Sequence, residues 1–169
     1  VKLCKENDID MVLAIGGGSV IDCAKVVAAG ACYDGDPWDL VITPRWIKKA
    51  LPIYSVLTLS ATGSEMDPFA VISDMSKNEK WGTSSEHMKP KMSILDPEYT
   101  YSVSKKQTAA GTADMISHIC ENYFTNVKNA DVQARFAEGL LKNCFKYGPI
   151  ALEEPDNYDA RANLMWTAS

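Results

Sequence analysis

No apolar run in this chain approaches the roughly 18 to 20 residues that span a bilayer. The opening Val1-Lys2-Leu3-Cys4-Lys5-Glu6-Asn7 has neither the charged nor the apolar region of a signal peptide. The expectation is a soluble, cytoplasmic protein with no membrane partner. A basic stripe is also missing: 17 Lys and Arg stand against 22 Asp and Glu, for a formal charge of -5, and the cations are scattered among the acids. Nothing there would neutralise a phosphate backbone, so nucleic acid is not expected as a partner. The five cysteines (Cys4, Cys23, Cys32, Cys120, Cys144) are an odd count with no Cys-x-x-Cys pair, which argues against a disulfide framework and against a thiolate zinc site. They read as free thiols in a reducing compartment. Internal repeats and low-complexity tracts are absent, and no Cys or Ser resembles an activated nucleophile with a paired base.

What is present is globular in character, with 46% hydrophobic and 23% charged residues, enough for one or two small domains with a core. Asp10-Met-Val-Leu-Ala-Ile15 is a continuous apolar run, the pattern of a strand covered on both faces of a parallel sheet. Gly16-Gly-Gly-Ser19 then turns the chain into a helix over residues 20–29, ended by Gly30. A second apolar run, residues 51–57, leads into Thr58-Leu-Ser-Ala-Thr-Gly-Ser-Glu65, and residues 69–73 and 91–95 read as further strands. From about Ser104 the apolar period becomes helical. Val132, Phe136, Leu140, Leu141, Cys144 and Tyr147 predict one buried helix face. The expected division is residues 1–103 as part of an α/β domain and residues 104–169 as the start of a helical one. Both ends read as cut through a longer chain, the first through a helix tail and the last through a helix with no stop signal.

Each motif has a bland reading beside the functional one. A glycine turn between strand and helix bares backbone N–H groups at a positive helix end, where a pyrophosphate can sit. Equally, Ser19 could cap the helix with Asp22 closing a capping box, and this is not Gly-x-Gly-x-x-Gly. Thr58, Ser60, Thr62 and Ser64 follow the carboxyl end of a strand, where ligands of open parallel sheets bind, but turns are Ser- and Thr-rich for local reasons too. Asp114 and His118 lie four apart in a predicted helix, so their side chains leave one face a turn apart. An Asp oxygen and a His nitrogen so placed suit zinc or ferrous iron, and such pairs also occur as plain surface contacts. His87 reads as surface, and Asp8, Asp10, Asp34 and Asp36 as solvated turn residues.

Taken in order, Gly16-Gly-Gly-Ser19, residues 58–65 and Ala109-Ala-Gly-Thr-Ala-Asp-Met-Ile-Ser-His118 resemble the iron-containing (group III) alcohol dehydrogenases. The runs at 89–101 and 160–166 resemble their butanol dehydrogenase branch. The resemblance implies an α/β fold, a dinucleotide-binding parallel-sheet domain followed by an all-helical domain, both incomplete here. It implies metal-assisted hydride transfer between primary alcohols and aldehydes with NAD or NADP, and a homodimer in the full-length enzyme. By it, Gly17, Gly18 and Ser19 hold the pyrophosphate, and Thr58 and Thr62 contact phosphate and the nicotinamide side. Lys80 lies near the cofactor ribose, Tyr99 occupies the cofactor pocket, and Asp114 and His118 are the first two ligands of iron or zinc. The family's two further His ligands would lie beyond Ser169, and the unit that reads the adenosine ribose before Val1. These 169 residues alone are therefore expected to be inactive. Two alternatives stay open: a glycerol dehydrogenase or dehydroquinate synthase-like enzyme of the same fold, and a non-catalytic nucleotide-binding module.

Overall fold

The computed structural model describes residues 1–169. A short helix, α1 (Lys2–Glu6), precedes strand β1 (Val12–Gly16), and helix α2 (Gly18–Ala31) follows at once. Helix α3 (Pro37–Ile42) starts cleanly because Asp36 accepts a hydrogen bond from Trp38 N and Pro37 supplies a preset first helical residue. Asp36 is thus a cap rather than a merely solvated acid.

Strand β2 (Ile53–Leu57) pairs in parallel with β1, and strand β5 (Met92–Ile94) pairs in parallel with β2, giving the order β1-β2-β5. Between β2 and β5 the chain makes an antiparallel hairpin, β3 (Phe69–Asp74) with β4 (Glu79–Ser84). Sequence reading finds β3 but misses β4, because Glu-Lys-Trp-Gly-Thr-Ser has no apolar alternation. Its turn is made by Asn78 at φ 53, where Asn tolerates the left-handed region, and by Asp74 accepting from Ser76 N and Oγ.

Within residues 1–169 one face of the parallel strands is packed. Ala14, Ile53 and Leu57 are buried, whereas Leu13 and Ile15 on β1 and Met92 and Ile94 on β5 are half or more exposed. The register sets Leu13 beside Tyr54 and Met92, and Ile15 beside Val56 and Ile94, so these side chains share the open face. The buried face is not wholly apolar. Ser55 Oγ donates to Ser93 Oγ across the β2–β5 pair at 2.7 Å, and Ser93 Oγ donates to Glu65 O at 2.9 Å.

Three helices follow: α4 (Lys105–Tyr123), α5 (Asp131–Glu153) and α6 (Tyr158–Ala168). Ser104 caps α4 by accepting from Gln107 N, and Asn157 caps α6 by accepting from Ala160 N. Their shared core is Met115 and Ile119 of α4, Ala137, Cys144 and Ala151 of α5, and Ala160 and Leu164 of α6. On α5 the expected apolar face is only half realised. Cys144 is buried and Leu140, Leu141 and Tyr147 pack at the core margin, but Val132 and Phe136 are 64% and 70% exposed. Near its start the small Ala137 alone turns inward. No helix is long and apolar enough to cross a membrane.

The chain forms two compact units. One comprises Val1–Leu57 with Ser64–Ile94, and the other comprises Thr58–Gly63 with Leu95–Ser169. The short run after β2 therefore belongs with the helices. Gly63 sits at φ +71, a conformation side chains disfavour, and a Cβ there would meet Ala168 O at 2.7 Å.

Candidate functional site

In the first unit the glycine turn leaves the carboxyl end of β1. Gly17 is the N-cap of α2, extended at φ -87, ψ -171, and it makes no side-chain cap; its carbonyl accepts from Val20 N and Ile21 N. The amides of Gly18 and Ser19, the first two helical residues, find no acceptor in the chain. They are orphan donors at the positive end of a 14-residue helix, the arrangement that accepts an anionic oxygen. Gly18 is buried and Ser19 exposed. A side chain at Gly16 would strike Val20 Cγ2 at 2.6 Å, so strand and helix meet this closely only over glycine.

The capping box foreseen for Ser19 and Asp22 does not form. The helix begins two residues earlier than that reading requires, with Gly17 as its N-cap, so Ser19 is inside it. Asp22 instead accepts from Ser64 Oγ at 2.6 Å and from Val71 N at 2.9 Å. Nor does Gly30 end the helix, which continues through Ala31; Gly30 is buried where a Cβ would press on Val1 and Pro37.

One turn beyond Asp22 stands Lys25, fully buried. Its Nζ donates to Ser64 Oγ (2.8 Å), Asp67 Oδ1 (2.9 Å) and Phe69 O (2.6 Å), which satisfies all three ammonium protons. A buried charge survives only with such pairing. Asp22 and Lys25 together dock the β3–β4 hairpin on the helix that begins at the glycine turn. Sequence reasoning weighed Asp22 only as part of a cap and passed over Lys25, although a lysine inside Ala24-Lys-Val-Val-Ala-Ala29 was a visible signal: a charge on an apolar helix face needs a distant partner. Lys80 is carried on this hairpin, exposed on β4 opposite Ser73, and so lies in the antiparallel sheet, not the parallel one.

In the second unit Thr58 begins the hydroxyl loop. It follows Leu57, the last residue of β2. Thr58 is half-buried and Thr62 exposed. Tyr99, half exposed, lies in a single 3-10 turn, Pro97–Thr100, capped by Asp96. On α4, His118 Nε2 and Asp114 Oδ1 are 3.9 Å apart with both side chains about half exposed. The helix brings these two together as their spacing predicts, and neither side chain has another polar partner in the chain. No third His, Cys, Asp or Glu joins them to make a complete cluster. An oxygen and a nitrogen donor side by side suit a divalent cation such as iron or zinc, so the pair fits as part of a donor set.

A parallel α/β sheet with bare amides at a helix start, followed by a helical unit carrying an Asp–His pair, defines the class. The sequence profile of the family described as iron-containing alcohol dehydrogenase matches residues 1–97. The chain belongs to that family. It is 60% and 62% identical over 169 residues to the NADH-dependent butanol dehydrogenases A and B of Clostridium acetobutylicum, covering 100% of this chain and 43% of each relative. The crystal structure of NADH-dependent butanol dehydrogenase A from Thermotoga maritima superposes with a TM-score of 0.95 at 47% identity, covering 99% of this chain and 42% of that one. The chain thus spans less than half the length of these relatives.

Proposed function

We propose that the full-length protein containing these residues interconverts primary alcohols and aldehydes of butanol-like size by hydride transfer with NAD or NADP. The observation that carries this reading is the half-exposed Asp114–His118 pair, 3.9 Å apart on one helix face, in a chain whose relatives are named butanol dehydrogenases. When bound, the nicotinamide supplies the hydride chemistry and a divalent metal, iron or zinc, the Lewis-acid polarisation of the alcohol or carbonyl oxygen. The chain's own part is to bind and orient. Gly17, Gly18 and Ser19 offer backbone donors to the pyrophosphate. Thr58 and Thr62 offer hydroxyls to phosphate and the nicotinamide side, Lys80 a charged donor near the ribose, and Tyr99 a wall of the cofactor pocket. Asp114 and His118 supply two metal donors. Two donors are too few to hold a catalytic metal, so the two further His ligands that the family resemblance implies are part of the proposal.

The test measures metal content, cofactor affinity and alcohol-dependent cofactor reduction in the full-length protein. His118→Ala is expected to abolish metal binding and turnover while cofactor binding persists. Lys80→Ala is expected to weaken cofactor binding by about 1 to 2 kcal/mol, the worth of one charge-assisted contact. Stoichiometric metal with undiminished turnover in His118→Ala would refute the assignment.

A further inference from the structure

Strand β3 is pinned to α2 through its main chain. Lys25 Nζ donates to Phe69 O at 2.6 Å, and Asp22 Oδ2 accepts from Val71 N at 2.9 Å. Ser64 Oγ joins the two side chains, accepting from Lys25 Nζ at 2.8 Å and donating to Asp22 Oδ1 at 2.6 Å. Asp67 Oδ1 takes the third Lys25 proton at 2.9 Å and also accepts from Phe69 N at 2.8 Å. Each of these contacts lies inside the first unit.

The two main-chain bonds are ordered. Going forward along β3 from Phe69 to Val71, the partner goes back along α2 from Lys25 to Asp22, so strand and helix run in opposite directions. Two more residues of strand, about 6 to 7 Å, reach Ser73. The same length of helix is about four residues, which leads from Asp22 back to Gly18, the first residue of α2. Ser73 pairs with Lys80 across the hairpin. The hairpin therefore carries the exposed Lys80 to the level of the helix start, where the amides of Gly18 and Ser19 lie.

Apolar contact would not hold it at that level. Val26, Val41 and Ala70 form the core under the hairpin, and such packing is non-directional. Bonds from a carboxylate and an ammonium to particular main-chain atoms are directional and strong. A slip of one strand repeat would displace Lys80 by about 6 to 7 Å.

We propose that Asp22 and Lys25 are positioning residues for the dinucleotide: they set how far the hairpin reaches along α2, and so bring Lys80 and the glycine turn to one cofactor. The inference rests on the cofactor reading given above. Neither residue touches the cofactor in this scheme; both act through Lys80.

The test is a double-mutant cycle on the dissociation constants of NADH and NADPH in the full-length protein. Lys80→Ala is expected to weaken binding roughly five- to thirtyfold. Asp22→Asn keeps the side-chain shape but removes the charge and one acceptor oxygen. It is expected to weaken binding roughly threefold or more in the parent, up to the Lys80→Ala loss, and to add nothing in the Lys80→Ala background, with metal content unchanged. Direct electrostatics has the opposite sign, because losing a carboxylate near the pyrophosphate would tighten binding. Tighter binding, unchanged binding, or an equal loss in both backgrounds overturns the proposal. Lys25→Met is expected to show the same coupling to Lys80; should that variant fail to fold, the Asp22→Asn cycle decides alone. No loss in Lys80→Ala removes the cofactor role of Lys80 and this inference with it, whereas a loss there without coupling overturns this inference and leaves the cofactor reading standing.

Discussion

Gly111 lies on α4 facing the run that follows β2, and a Cβ there would sit 2.7 Å from Ser60 O, 3.5 Å from Ala61 Cβ and 3.8 Å from Leu59 Cδ2. Gly111→Ala therefore sets two effects against each other. Replacing a mid-helix glycine by alanine favours the helix by about 0.8 to 1.0 kcal/mol. Forcing a methyl group into a filled interior costs about 1 to 3 kcal/mol. The nearest atom is a backbone oxygen, which cannot rotate aside as a side-chain tip can, so the steric cost wins, and a net loss of about 1 to 2 kcal/mol is expected. For a chain this long each kcal/mol moves the midpoint by about 2 to 4 °C, so Tm should fall by several degrees. Gly139 on α5 is the control, because nothing lies within 4 Å of its Cβ position and it is exposed. Gly139→Ala should keep the propensity gain and raise stability by about 0.5 to 1 kcal/mol. Urea and thermal melts followed by circular dichroism on both variants decide the matter. Equal or greater stability in Gly111→Ala would show that the helix does not need this close approach. Because the displaced backbone lies between Thr58 and Thr62, the proposed function adds that Gly111→Ala weakens cofactor binding while Gly139→Ala does not.

Lys25→Met fills the same volume but strips donors from Ser64, Asp67 and Phe69. Asp67 keeps partial solvent contact, with its side chain 36% exposed, so the expected loss is about 2 to 4 kcal/mol, short of the full cost of a stranded buried charge. A urea midpoint within experimental error of the parent would sink the docking role given to this lysine. At the hairpin turn the Ser76 hydroxyl holds the Asp74 carboxyl below its ordinary value of 3.8, against a smaller opposing effect of desolvation, with Ser76 N and Lys77 adding to the lowering. A folded-state value below the unfolded one means that this contribution is complete above about pH 3.8 and is lost as pH falls through the folded value. Carbon-13 NMR titration should place Asp74 below 3.8, and Ser76→Ala should move it back up; an unmoved titration would remove Ser76 as the cause.

Much of the candidate site was readable before any coordinates because it is built from short-range geometry. A glycine run after an apolar strand gives a turn with bare amides wherever the strand lies, and residues four apart on a helix share a face whatever packs behind it. The starts of α3, α4 and α6 are local as well, since Asp36, Ser104 and Asn157 bond amides two or three residues ahead. Asp36, read as a solvated turn acid, is one local feature that was misassigned; others involve partners far along the chain. Asp22 looks like a cap until Ser64 and Val71, 42 and 49 residues away, claim its oxygens. β4 is polar in pattern and exists because β3 pairs with it.

The sequence by itself determined the strand–turn–helix that opens the chain, the helical character of its second part and the common face of Asp114 and His118, since each follows from hydrogen bonds and periodicities closed within a few residues. Only the tertiary structure decided which face of the parallel strands is packed within residues 1–169, and that Lys25 is buried with all its protons satisfied. Burial of a charge depends on what the fold brings to it from 39 to 44 residues away, and no local pattern carries that information.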